Sequence, residues 1–319
     1  MYYIEDCLGC GKRKGAVGRW VATVFALLLT VNALSMGGAL QAEAVTSAFG
    51  TAFGIPKPVT AVFLFGAVMI VTKGGYRRIT LLTDRLVPFM SLAFFVVSVA
   101  AVVLRADRLP DAFSAIFSDA WNFRAGACGV FGFVLSKGVR YGTMRGLISN
   151  EAGCGTSPMA HSSSGEHASD AEGIWGIFEV LVDTVILCTL TALVITVSDV
   201  SVAGGDFMGI TVRAYSSILG EWSESFMAVS VLMFGFATIL CWSHYGRLGA
   251  TYAFGAKRGA FAFFVLYGIA VLSSGFGSSE LAWQAADLSV GAMTVINLSV
   301  LFVMRKEIVD ESGFLLGSP

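Results

Sequence analysis

The chain has 319 residues, of which 55% are hydrophobic and 13% are charged, and its formal net charge is -1. Soluble globular domains carry roughly a quarter of charged residues, so this composition indicates an integral membrane protein. A net charge near zero, without a run of like charges, also argues against nucleic acid as a partner.

Apolar stretches, each about as long as a helix that crosses ~30 Å of hydrocarbon, follow one another along the chain. They lie at residues 17–40, 58–75, 86–104, 126–144, 174–197, 226–245, 260–276 and 283–304. Within each stretch the apolar residues cover all faces of the predicted helix, with little 3.6-residue periodicity, as is typical of helices in lipid. The sequence predicts an all-α membrane protein of about eight transmembrane helices, forming one domain over residues 1–319, with short interfacial helices at 107–124 and 198–225.

The lysines and arginines predict the direction of the spans, because short loops rich in them remain in the cytoplasm. If residue 1 starts inside, 16 of the 21 basic residues fall on the inner side and five on the outer side. This distribution predicts an even number of spans with both termini in the cytoplasm.

Three glycines, Gly126, Gly129 and Gly132, fall within seven residues of the fourth span. Such a stretch can unwind, and broken helices in transporters present backbone amides, carbonyls and dipole ends to an anionic carboxylate or a cation. Close helix packing through small residues is the alternative explanation, and the pattern does not separate the two.

A polar, glycine-rich loop follows that span on the predicted inner side. Ser149, Asn150 and Glu151 are residue types that cap helix ends, and Gly153 permits a tight reversal of the chain. We interpret the loop as an ordered gate element; an ordinary solvated loop is the alternative.

Two ionisable residues, Glu179 and Asp183, lie inside the fifth span and share one helical face. Either a structural role, as partner of an arginine or as cap of a neighbouring helix, or coupling to a transported ion explains them. Asp287, near the start of the last span, is interpreted as an interfacial cap. His161 and His167 are interpreted as solvated loop residues.

Thr238 and Trp242 share one face of the sixth span and offer a hydroxyl ligand and an aromatic wall. Sodium prefers hard oxygen ligands, to which a hydroxyl and the carbonyls of an unwound helix are suited. The alternative is that the threonine hydroxyl bonds to its own helix backbone.

Enzyme signatures are absent from the sequence: it shows no catalytic serine–histidine motif, phosphate-binding glycine loop or H-E-x-x-H motif. The C-x-x-C at Cys7 and Cys10 lacks the second ligand pair that a zinc site needs. We therefore expect no enzymatic activity, no resident cofactor and no metal other than a transported ion.

The stretch GLISNEAGCGTSPMAHSS at 146–163 resembles the hallmark loop of the alanine or glycine:cation symporter family. Further blocks resemble the same family in the same order and extend the resemblance over nearly the whole chain. They are GGYRRITLLTDRLVPFM at 74–90, DTVILCTLTALVI at 183–195, FATILCWSHYG at 236–246 and WQAADLSVGAMTVINL at 283–298.

The resemblance implies a LeuT-type fold, in which two inverted repeats hold substrate and sodium between broken helices. It implies that the predicted spans are core helices three to ten, so that the chain lacks the first two core helices and is incomplete at its N-terminus. Other departures from the family pattern are Arg247, where a glutamate is usual, and Glu172, where a glutamine is usual.

The same resemblance implies roles for individual residues. The substrate-binding positions would be Gly126, Gly129, Phe131, Gly132, Thr238 and Trp242. Thr238 would also bind the ion, and Ser149, Asn150, Glu151 and Gly153 would form the gate.

The expected function is sodium-coupled symport of a small neutral amino acid, alanine or glycine, across the plasma membrane by alternating access. The partners would be the amino acid, sodium and membrane lipid. The alternative is a transport-inactive fragment or a split partner of such a symporter. Coupling to protons instead of sodium also remains open, with Glu179 or Asp183 as the proton carrier.

Overall fold

The computed structural model describes residues 1–8, 14–121, 130–151, 153–161, 169–202, 207–277 and 279–313. These residues form helices and connecting turns, and none of them lies in a β-strand. The helices are α1 Tyr2–Leu8, α2 Lys14–Asn32, α3 Gln41–Phe53, α4 Lys57–Lys73, α5 Tyr76–Leu104, α6 Leu109–Trp121, α7 Val130–Asn150, α8 Ser157–His161, α9 Ser169–Val180, α10 Cys188–Val197, α11 Phe207–Leu219, α12 Trp222–Phe254, α13 Ala256–Ser273, α14 Glu280–Val303 and α15 Arg305–Gly313. Two π-helical segments, Ala33–Leu40 and Leu181–Leu187, join α2 to α3 and α9 to α10.

Each predicted span corresponds to a helix. Within the described part of the chain, 6 helices are long and apolar enough to cross a membrane. They are Gly15–Phe53, Arg77–Leu104, Glu172–Val197, Trp222–Phe254, Ala256–Ser273 and Glu280–Val303. The other two predicted spans correspond to α4, which has 17 residues, and to α7, which contains Lys137, Arg140 and Arg145.

The first span does not end at residue 40 as the sequence suggested. It continues without a break through the first π-helical segment to Phe53, over 39 residues or about 58 Å at 1.5 Å per residue. It stops where Gly54 adopts a left-handed conformation with φ 65° and Pro56 precedes α4. The hydropathy of residues 41–53 is mixed, so it did not reveal this extension.

Helix α12 lies at the centre of the fold, against α2, α3, α5, α11 and α13. Its glycines allow this close approach. A Cβ at Gly246 would lie 2.5 Å from the Cβ of Ala33, and one at Gly249 would lie 2.7 Å from the carbonyl oxygen of Ala26. Small residues in α12 therefore set the distance between the two longest helices of the bundle.

Many large apolar side chains on the outer helices remain exposed, among them Phe63 at 70%, Ile177 at 73% and Leu288 at 74%. Contiguous apolar exposure of this kind is not found on water-soluble monomers and is expected where lipid covers the helices. The two connections that were expected to contain short helices do so, as α6 and α11.

Candidate functional site

Trp242 of α12 is 2% exposed and lies directly against the first π-helical segment. A Cβ at Gly37 would lie 2.3 Å from the Cβ of Trp242, so the indole can occupy this place only because residue 37 has no side chain. Tyr245 packs edge-on against the indole with ring centroids 5.6 Å apart. The aromatic wall predicted from the sequence is thus a buried, fixed element at the helix junction.

Thr238 lies one turn before Trp242 on the same continuous helix. Hydroxyls inside apolar helices usually donate to their own backbone. Ser243 does so to Leu240 at 2.6 Å, and Thr251 does so to Leu248 at 3.0 Å. Thr238, in contrast, forms no hydrogen bond with any residue that the structure describes. Its O–H is therefore not fixed by the helix backbone and can orient toward another ligand.

Backbone carbonyls also converge near this helix junction. The buried hydroxyl of Tyr267 lies 2.7 Å from the carbonyl oxygen of Ile239 and 3.1 Å from that of Gly37. A π-helical turn widens the helix and displaces its carbonyls from the regular ladder, and such turns occur frequently at functional sites. Tyr267 therefore ties the π-helical segment to the residue that follows Thr238.

A buried polar contact joins the first span to the last span. Asn32, at the end of α2, is buried, and its side-chain oxygen accepts a hydrogen bond from Ser289 at 3.2 Å. An amide buried in an apolar helix is costly unless it is paired, and it is a functional hypothesis by default. This pair was not predicted from the sequence, although an asparagine inside an apolar run is a signal that would have indicated it.

The predicted gate loop is ordered and turns sharply. Ser149 and Asn150 form the end of α7, Glu151 has φ 51°, and Gly153 and Gly155 have φ 84° and 80°. At Gly155 a Cβ would lie 3.0 Å from both the Phe25 ring and the Tyr3 hydroxyl. Gly155 therefore combines a left-handed conformation with a place that leaves little room for a side chain, both of which favour glycine. The opening and closing of this loop as a gate stays a prediction.

Asn297 of α14 anchors this loop to the last span. Its amide donates to the carbonyl oxygen of Gly153 at 2.9 Å, and its side-chain oxygen accepts a hydrogen bond from the Tyr3 hydroxyl. Cys154 is buried and lies 3.4 Å from the Thr294 hydroxyl. The loop is therefore packed into the bundle and is not an ordinary solvated connection.

The carboxylate of Glu151, just beyond the end of α7, faces the interior of the protein. Burial raises the pKa of Glu151 to about 7. The hydroxyl of Thr156, which donates to its Oε2 at 2.7 Å, opposes that shift, and so does the indole of Trp242. The charges of Glu179 and Asp183 add to the rise. Glu151 is thus a buried carboxyl group that titrates near neutral pH beside the predicted aromatic wall.

The two acidic residues of the fifth span have separate environments. Asp183 lies in the second π-helical segment and accepts a hydrogen bond from Ser149 at 3.3 Å, so it contacts the gate loop. Glu179 is 71% exposed, with its carboxylate 3.6 Å from His161. His161 is not solvated as expected, because its side chain is 23% exposed and lies 2.5 Å from Glu172.

Arg145 of α7 pairs with Asp287 of α14 at 2.8 Å and lies 3.9 Å above the ring of Trp283. Asp287 therefore forms an ion pair between α14 and α7 and is not an interfacial cap, because α14 begins at Glu280, seven residues earlier. The contact joins the start of the hallmark block to the last span.

Only part of the glycine-rich stretch of the fourth span lies within the described residues. Gly126 and Gly129, as well as His167 and Cys10, lie outside the described residues. Phe131 and Gly132 belong to the first turn of α7. Their predicted role in substrate binding stays a prediction.

The sequence model of the sodium:alanine symporter family matches residues 1–313. A probable sodium/glutamine symporter of Bacillus subtilis is 29% identical over 96% of this chain and 62% of its own length. A sodium/alanine symporter of Methanococcus maripaludis is 27% identical over 98% and 68%. A sodium/proton-dependent alanine carrier protein of Bacillus sp. PS3 is 27% identical over 92% and 69%.

The chain spans about two thirds of the length of these curated relatives. The match to the family model covers nearly the whole chain, and it agrees with the apolar helices and with the resemblance of the hallmark loop. The chain therefore belongs to the sodium:alanine symporter family, whose members are multi-pass membrane transporters and not enzymes.

Proposed function

We propose that the protein carries out sodium-coupled symport of a small neutral amino acid, alanine or glycine, across the plasma membrane by alternating access. In this proposal about eight helices cross the membrane in a LeuT-type arrangement, with both ends of the chain in the cytoplasm. The family membership and the basic residues of the inner loops support it.

The observation that carries the proposal is the state of Thr238. Its hydroxyl has no hydrogen bond to any described residue, while nearby hydroxyls on the same helix bond to their own backbone. A hard cation takes oxygen ligands, and a hydroxyl that is not fixed by an internal hydrogen bond can turn its lone pairs toward one. Thr238 supplies one on the helix that also carries the buried Trp242.

The substrate class is supported by the names of the relatives. Two of the three relatives above are named for alanine and one for glutamine. Glutamine is therefore the competing substrate that an uptake assay should include.

The test is uptake of labelled alanine, glycine and glutamine into liposomes that contain the purified whole protein. We expect sodium-dependent alanine or glycine uptake that exceeds glutamine uptake. Thr238→Ala removes a ligand to a charged ion, a contact worth about 1.5–3 kcal/mol, and should raise the half-saturating sodium concentration roughly tenfold or more. Thr238→Ser keeps the hydroxyl and should restore most of the affinity.

A matched control is Thr251→Ala on the same helix, because that hydroxyl donates to Leu248. It should leave the sodium dependence unchanged. If Thr238→Ala and Thr251→Ala have the same sodium dependence as the unmodified protein, the ion site is not at Thr238. Uptake that needs no sodium gradient would contradict the proposed coupling.

A further inference from the structure

A cavity of about 540 Å³ lies where the end of α4, the start of α5, the middle of α12 and the start of α13 meet. Its lining includes Tyr267, which also contacts the helix junction described above, but neither Thr238 nor Trp242. Its walls are largely apolar and aromatic: they include Met69, Ile79, Phe261, Phe263 and Phe264. Phe263 is 3% exposed, whereas Phe261 is 72% exposed, so the apolar wall runs from the interior to the outer surface of the bundle.

Three basic residues from three helices line this cavity, Lys73 of α4, Arg247 of α12 and Lys257 of α13. All three are exposed, and none forms an ion pair with any acidic residue that the structure describes. None of the residues that line the cavity is acidic. Three like charges around one apolar cavity repel one another unless an anion compensates them.

The uncharged polar groups of the lining are already engaged. The hydroxyl of Thr72 donates to Val68 at 2.7 Å, and that of Ser243 donates to Leu240 at 2.6 Å. The three cations are therefore the groups that remain for a ligand. A ligand that satisfies both parts of the cavity needs an anionic head and an apolar tail.

We propose that this cavity binds one anionic phospholipid, with the headgroup phosphate among Lys73, Arg247 and Lys257 and an acyl chain along Phe261 and Phe264. Basic pockets between membrane helices are suited to such headgroups, and each nearby cation contributes about 1 kcal/mol of attraction. Free phosphate would gain nothing from the aromatic wall, whereas a lipid in the surrounding bilayer can reach it through the exposed side at Phe261. This site does not depend on which amino acid is transported.

The test is native mass spectrometry of the purified, delipidated whole protein after addition of phosphatidylglycerol or phosphatidylcholine with identical acyl chains. We expect phosphatidylglycerol to bind at least about tenfold more tightly. The combined substitution Lys73→Gln, Arg247→Gln and Lys257→Gln should abolish this preference. The control Arg77→Gln, Arg140→Gln and Lys306→Gln removes the same charge at exposed positions outside the cavity and should keep it.

A second variant tests the apolar part without a change of charge. Ala260→Trp places a large side chain in the cavity and should lower phosphatidylglycerol binding about tenfold or more, because the site is filled. If the triple variant does not fold, Arg247→Gln alone should weaken binding about fivefold. Equal binding of the two lipids, an unchanged preference in the cavity variants, or complete displacement by millimolar inorganic phosphate would each overturn the proposal.

Discussion

Glu151→Gln is expected to reduce the pH dependence of the protein's stability. Burial raises the pKa of Glu151 from 4.5 to about 7 in the folded protein. The folded state therefore binds this proton more tightly than the unfolded chain. The stability that results is present in full below about pH 4.5 and is lost as the pH rises through about 7.

The expected size follows from the pKa values. A change from 4.5 to about 7 corresponds to about 3 kcal/mol between the protonated and ionised ends of the range. The side-chain amide that replaces the carboxyl group stays neutral throughout, and its oxygen can still accept a hydrogen bond from Thr156. The variant should therefore match the stability of the unmodified protein near about pH 5 and exceed it near about pH 8.

The assay is thermal unfolding of the detergent-solubilised protein, followed by intrinsic tryptophan fluorescence across this pH range. Glu221→Gln is a suitable control, because Glu221 is exposed at the start of α12. It should leave the pH dependence as it is. A Glu151→Gln variant whose melting temperature falls with pH as steeply as that of the unmodified protein would refute the assignment of a buried, protonated carboxyl group.

Two further substitutions test the packing of the site. Gly37→Ala should destabilise the protein by about 1–3 kcal/mol, since its Cβ would lie 2.3 Å from Trp242. Gly291→Ala, whose Cβ would have no atom within 4 Å, should not destabilise it, and thermal unfolding compares the two variants. Asn297→Ala leaves the carbonyl of Gly153 unpaired, at a cost of about 1–3 kcal/mol, and should speed proteolysis within the predicted gate loop. Ser299→Ala, which removes a hydroxyl that donates to Val295, should leave the rate of proteolysis unchanged. If the two variants of either pair have equal effects, the contact on which that prediction is based is contradicted.

The sequence predicted the helices well because hydrophobic length is a local property. Every predicted span corresponds to a helix over its described residues, and the glycines of the hallmark loop adopt left-handed conformations at the tight reversal that they were expected to permit. The predicted end of the first span was wrong, since residues 41–53 are not uniformly apolar and their helix is stabilised by packing against α12. Tertiary contacts override local hydropathy there.

The site depends on contacts between residues that are far apart in the chain. Thr238 and Trp242 share a face by helical periodicity alone, so the sequence could pair them. It could not show that Gly37 makes room for the indole, that Glu151 faces it, or that Arg145 reaches Asp287.

The sequence by itself therefore determined the membrane class, the order of the helices, the family resemblance and the position of the hallmark loop. Only the tertiary structure decided which polar groups form hydrogen bonds. Asn32 bonds to Ser289 and Asn297 bonds to Gly153, whereas Thr238 bonds to no described residue. The physical reason is that hydropathy and helical period act over one turn or one span. Burial, hydrogen bonding and pKa instead arise from side chains that meet only after the helices have packed.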